Sequence, residues 1–203
     1  MIRSKKYIFI LLIMTVLFLV NGCIVNSINP FYTEDTLIYL PELNGKWSTG
    51  DDSETETLTF YHQKEKSYKM IHEDEKKRES VFEAHLFEMD GQYFLDSFPE
   101  EIEDVSEFMY IHLAPMHTLF RISFQNQSAG LFFTTRKLVL EPINYEWFDE
   151  QIKNGALSLE YVKQDEDSFV VLTAPTEDIQ KFILEHINVA FDESEAAKFT
   201  RVH

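Results

Sequence analysis

Between residues 36 and 141, apolar side chains recur at every second position in short runs, and charged or turn-forming residues separate the runs. Such alternation is the period of a strand with one face buried. Residues 56–62 set Leu58, Phe60 and His62 against Thr57, Thr59 and Tyr61. Residues 67–72 put Tyr68, Met70 and His72 on one face. Residues 80–88 put Phe82, Ala84 and Leu86 on one face and Val81, Glu83, His85 and Phe87 on the other. Asp90-Gly91 suits a type I′ turn, because both residues tolerate positive φ, so residues 92–98 are expected to pair back across it. A run at 105–113 is apolar on both faces and is expected to be buried on both. Residues 118–124 follow, then 130–134 and 137–141 as one strand or two. A short strand is expected at 36–40, and the charged segments 64–66 and 73–78 read as hairpin tips.

Beyond residue 143 the period changes. Asn144 can cap a helix over 145–153, and Asn154-Gly155 stops it. Residues 157–163 and 168–172 predict a hairpin. A second helix begins near Thr176, with Glu177 and Asp178 at its positive end. Ile179, Phe182, Ile183, Ile187 and Ala190 share one of its faces. The expected fold class is therefore mainly β. An antiparallel meander forms a barrel or strongly curved sheet, and two C-terminal helices with an intervening hairpin cover an open end or face.

The amino terminus follows another logic. Arg3, Lys5 and Lys6 precede an apolar run from Tyr7 to Val20, broken only by Thr15. A run of about 14 residues is short for a spanning helix, which needs about 20. A positive start and a short apolar middle are the parts of a secretory signal peptide. The run ends in Val20-Asn21-Gly22-Cys23, and Cys23 is the only cysteine of the chain. This segment resembles the lipobox of bacterial lipoproteins. The resemblance implies cleavage between Gly22 and Cys23 and a diacylglyceryl group on the Cys23 thiol. Two acyl chains, at about 0.8 kcal/mol per buried methylene, hold a protein where one does not. The domain plan expected is a signal peptide over 1–22, a lipidated Cys23 with a tether to residue 35 in which Phe31 and Tyr32 can dock onto the domain, one β-rich globular domain over 36–191, and a polar tail over 192–203. The protein is expected to be exported and anchored in the cell membrane or an outer membrane, facing away from the cytoplasm.

The whole chain carries a formal charge of −17. Residues 1–22 hold three basic and no acidic side chains, so the remainder has 15 basic against 35 acidic groups, a net of −20. Such a surface repels phosphates and excludes nucleic acid as a partner. Eighteen Phe and nine Tyr favour strands and an aromatic interior.

Gly45-Lys46-Trp47 resembles the G-x-W entry motif of lipocalins. That resemblance implies that Trp47 plugs the closed end of a barrel with an arginine packed over it, Arg121 or Arg136. More broadly, Pro30-x-Tyr-Thr33, Leu43-x-Gly-x-Trp47 and Phe82-x-Ala-His-Leu-Phe87 resemble a group of bacterial lipoproteins with no assigned activity, which implies no catalytic residues.

The residues themselves point the same way. There is no G-x-S-x-G serine and no Gly-rich phosphate loop. His62, His72, His85, His112 and His117 lie on or beside strands without ligand spacing, so no metal and no cofactor is assigned. The acidic clusters at 51–54 and 165–167 lack the frame of a calcium loop. The aromatic excess is the stronger lead. Phe60, Phe82, Leu86 and Tyr93 are candidate cavity-lining residues, as are Phe108, Tyr110, Phe120 and Phe124; eight-stranded barrels either fill with side chains or enclose one small ligand. The expectation is a non-catalytic envelope lipoprotein that binds a small apolar molecule. The alternative is a filled barrel presenting an acidic surface to another envelope protein. Cys23→Ala is expected to leave an unacylated, uncleaved chain, read by intact mass of the extracted protein beside the unaltered one.

Overall fold

The computed structural model describes residues 25–50, 55–101, 113–129, 133–163 and 170–202. Among the described residues eleven strands follow in chain order: β1 (Val25–Ser27), β2 (Gly45–Ser48), β3 (Thr57–His62), β4 (Ser67–Glu73), β5 (Glu79–Met89), β6 (Gln92–Glu101), β7 (His117–Ala129), β8 (Phe133–Pro142), β9 (Tyr161–Lys163), β10 (Val170–Leu172) and β11 (Ala197–Arg201). Strands β2 to β8 form an antiparallel meander, and β11 lies between β8 and β2. The sheet thereby closes into an eight-stranded, lipocalin-like barrel. Closure removes the edges that a seven-stranded sheet would expose.

The turns have local causes. Asp90 and Gly91 take φ of +48° and +70°, the left-handed pair of a tight hairpin. Helix α1 (Tyr145–Lys153) starts where the Asn144 side chain accepts a bond of 3.0 Å from the Trp147 N–H. Helix α2 (Thr176–Glu185) carries Glu177 and Asp178 in its first turn. Residues 36–40 form no full strand; Leu37 makes an isolated bridge to Phe87. The expected run at 105–112 lies outside the described residues.

Period-two alternation sends side chains to two separate cores. The inward face of the barrel buries Trp47, Phe60, Tyr68, Leu86, Leu95 and Leu138. The outward faces of β5 to β7 contribute Phe87, Phe94 and Leu119 to a second core, closed by Phe148 of α1 and Ile179 and Phe182 of α2. The helices thus cover a flank of the barrel.

Both ends are built into the fold: Phe31 and Tyr32 dock as expected, and the rest of the tether from Val25 and the end of the polar tail pair as strands. The segment expected as a tether from Cys23 to residue 35 is packed from Val25 onward. β1 pairs with β7 and β10, and Val25 and Phe31 are almost wholly buried. Phe31 anchors the outer core, and α2 grips its neighbourhood: the Thr176 hydroxyl donates to Pro30 O at 2.6 Å and Gln180 Nε2 to Phe31 O at 2.9 Å. The expected polar tail supplies β11, with Phe199 buried in the barrel. Charged residues dominate positions 192–196 and hide a strand of only five residues behind them.

The arginine over Trp47 also differs from expectation. It is Arg201, the last residue of β11, with its guanidinium carbon 5.0 Å from the indole centroid. Arg121 instead lies on the outer wall, bonded to Glu141 and over Phe191, and Arg136 packs on Phe124. Trp47 is fully buried and donates through Nε1 to Leu43 O at 2.9 Å. Arg201 Nη1 donates to Glu42 O at 2.8 Å, so one turn holds both partners. Gly45 is favoured here by its φ of +109°, and a Cβ would also push the Arg201 guanidinium, 2.8 Å away, from its place over Trp47. Trp47→Ala is expected to destabilise the domain by about 3–5 kcal/mol. Arg201→Ala should cost about 1–2 kcal/mol and Arg136→Ala less, because the half-buried Phe124 desolvates its cation poorly. Urea unfolding of the three variants at neutral pH checks the order.

Candidate functional site

At the Trp47 end large side chains, Trp47, Phe60 and Tyr68 among them, pack the barrel. The opposite end is hollow, where β3, β5, β7 and β11 begin and β4, β6 and β8 finish. An apolar cavity of about 280 Å³ opens there. Leu58, Met70 and Phe82 form one side of it, and Phe120, Leu140 and Phe199 the other. Each is an inward position of its strand, and cross-strand register aligns them: Met70 faces Phe82, and Leu58 faces His72.

Polar groups reach the cavity at its rim through His72, Ser97 and Thr118. The Ser97 hydroxyl donates to Thr118 O at 3.5 Å, and the Thr118 hydroxyl donates to Asn26 Oδ1 at 2.9 Å. His72 Nε2 lies 3.8 Å from Glu56 Oε2, beyond hydrogen-bond reach. The cavity is therefore an apolar slot with one imidazole at its lip. Its volume sits near the lower limit of small-molecule pockets, about 300–1,000 Å³.

Of the residues expected to line a cavity, Phe82 and Phe120 do so here. Phe60 and Leu86 lie deeper, in the filled half. Tyr93 and Phe124 border a separate surface groove with Arg121 and Arg136. Phe108 and Tyr110 lie outside the described residues, as do Gly22, Cys23 and His112. Met70, Leu140 and Phe199 were not anticipated. Alternation marked Met70 as inward, but no local signal tells which inward residue meets a void and which meets a neighbour.

A second, polar constellation sits on the barrel's outer wall. Asp96 is buried to 1% exposure, accepts the Phe31 N–H at 2.8 Å, and faces His117 Nδ1 at 2.8 Å. His85 is the cross-strand partner of Asp96 and stacks on Tyr32 with centroids 4.3 Å apart. Burial, followed by the charges of Asp96, Glu83 and Glu34, pushes the Tyr32 hydroxyl up to about 12, so it stays neutral. These groups tie the N-terminal segment to the wall and are satisfied by one another. Beside them lies an open polar hollow of about 720 Å³, which includes Glu34, Lys64, Lys66 and Glu83. It is larger than the apolar slot, but its mixed charges face solvent and enclose little.

Among the described residues, no group of three or more His, Cys, Asp or Glu is placed to hold a metal ion. No described helix is long and apolar enough to cross a membrane. The chain matches no family model, no curated protein and no solved structure.

His85 sets a pH dependence. Burial is the largest influence and lowers its pKa below the ordinary 6.5; Glu83, Asp96 and Glu34 act against this, and His117 adds to it. The unfolded chain takes up this proton first, so the His85 contribution is complete above about pH 6.5 and is lost as pH falls through the lower folded value. Urea midpoints are expected to fall from pH 7.5 to 5.5, and His85→Gln to narrow that fall. An unchanged difference in the variant would show that His85 is not a source of it.

Proposed function

We propose that this chain is a lipid-anchored lipoprotein of the cell envelope whose barrel binds a small apolar molecule without transforming it. The carrying observation is the apolar cavity at the open end of the barrel. The signal-peptide and lipobox pattern ending at Cys23 supports the anchor. The Ser97 and Thr118 hydroxyls both donate to groups of the protein, so the lining offers a ligand mainly apolar contact. Each methylene buried in such a slot contributes about 0.8 kcal/mol. A slim single chain suits its volume better than a branched or polycyclic molecule.

Native mass spectrometry of the domain (residues 24–203), purified from its own host, is expected to show an adduct the size of a single-chain lipid. Met70→Trp should fill the slot, remove the adduct and weaken a fluorescent single-chain lipid at least tenfold, about 1.4 kcal/mol. A bare mass together with no binding of the probe would sink the ligand reading. It would turn attention to an envelope protein docking on the acidic wall.

A further inference from the structure

We propose that the cavity takes a single-chain amphiphile with an ammonium head and turns away chains headed by a carboxylate or phosphate. This rests on the reading of the barrel as a binder of a small apolar molecule. Its new content comes from the polar groups at the mouth, which offer acceptors and negative charge.

Ser97 and Thr118 stand at the rim, Ser97 with only 4% exposure. Each hydroxyl proton is already given to the protein. Ser97 donates to Thr118 O at 3.5 Å, and Thr118 to Asn26 Oδ1 at 2.9 Å. What each oxygen keeps for a ligand is its lone pairs. Across the mouth, Glu56 Oε2 lies 3.8 Å from His72 Nε2, too far for a hydrogen bond. Among the described residues no closer side chain meets that carboxylate, which accepts and cannot donate. Register holds it at the lip: Leu58, two residues further on the same face of the strand, pairs with His72. Among the described residues that line the cavity, none is Lys or Arg. An ammonium head brings three donors and a positive charge to acceptors on both walls. A carboxylate or phosphate head would set lone pairs against lone pairs.

The surroundings carry the same sign. Glu56 lies just before β3, Glu100 near the end of β6, and Glu193 and Glu195 just before β11. The β4–β5 tip holds three cations, and two of them are engaged. Lys77 Nζ donates to Glu73 at 3.0 Å, and Arg78 Nε to Asp74 at 2.7 Å. Glu75 and Glu79 outnumber the remaining Lys76. A mouth of one sign over an apolar wall concentrates ligands of the opposite sign, and salt weakens the effect.

Full-length protein in discs of zwitterionic lipid provides the test. The probes are decylammonium, decanol and decanoate at neutral pH, with free concentrations fixed by dialysis. The three share one chain and differ in the head. Met70 lines the cavity, so the NMR shift of its isotope-labelled methyl group reports occupancy, and Met70→Leu assigns that signal. At about 20 mM salt, decylammonium is expected to move the signal at free concentrations about tenfold below decanoate, with decanol between them. Salt at about 0.5 M should narrow the gap. Glu56→Gln, at a half-exposed position, should narrow it at low salt. Decanoate binding as well as decylammonium, or better, would overturn the ammonium head and leave the apolar-ligand reading standing. A Met70 signal that none of the three moves would overturn both.

Discussion

Closure of the barrel by its last strand is the constraint on which the rest of the structure depends. β11 brings only five residues, yet it pairs with β8 on one side and β2 on the other. Without it the meander would be an open sheet with two unpaired edges, and the apolar lining would lose the Phe199 wall. β11 also delivers Arg201 to Trp47. The plug is thus assembled from the start and the end of the barrel, and strand pairing and aromatic packing close the same seam.

A closed sheet has two faces, and this protein uses both. The inward face is packed at one end and hollow at the other. The outward face of β5 to β7 is apolar enough to hold a second core beneath α1, α2 and the N-terminal segment. One buried carboxylate, Asp96, joins that segment to the wall by accepting a backbone N–H and facing a histidine. A buried carboxylate without such partners would cost several kcal/mol, so the segment and the wall depend on each other. The helices occupy this flank because β8 leads into them through Ile143, which bridges to Phe191 just before β11. They leave the hollow end of the barrel to the strands.

The hollow has a geometric origin. The filled half holds Trp47, Phe60 and Tyr68; the Trp47 ring packs against Phe124 of β7, and the Phe60 ring meets Tyr68 edge to face. Toward the other end the inward positions pass to Leu58, Met70 and Leu140 and then to Ser97, Thr118 and Ala197. Smaller side chains at the same barrel circumference leave space. Phe82, Phe120 and Phe199 still point inward at the hollow end, so the space there comes with the smaller residues set among them.

Much of this was legible in the residues. The alternating runs placed β3 to β6 and the start of β7 within a few residues, although β7 runs on through residues 125–129, expected as a turn; the Asp90-Gly91 pair placed a turn, and the Asn144 cap and the Asn154-Gly155 stop bounded α1. These are local signals, set by backbone conformation and by the face each side chain must bury. Trp47 as the plug was legible too, through its motif. The partner of that plug was not: Arg201 and Trp47 are far apart in sequence, and nothing in a linear pattern states that the chain's end returns to its beginning. For the same reason residues 25–35 and 197–201 read as loose ends, because a short segment gains its stability from pairing with distant strands rather than from its own propensity. The cavity lies further still from sequence. Alternation names the inward positions, but a void is the difference between the volume the closed wall encloses and the volume its side chains fill. By itself the sequence determined the strand periods, the helix caps, the acidity and the anchor pattern. Tertiary structure alone decided closure, the second core and the place of the hollow, because each depends on contacts between residues that the chain keeps far apart.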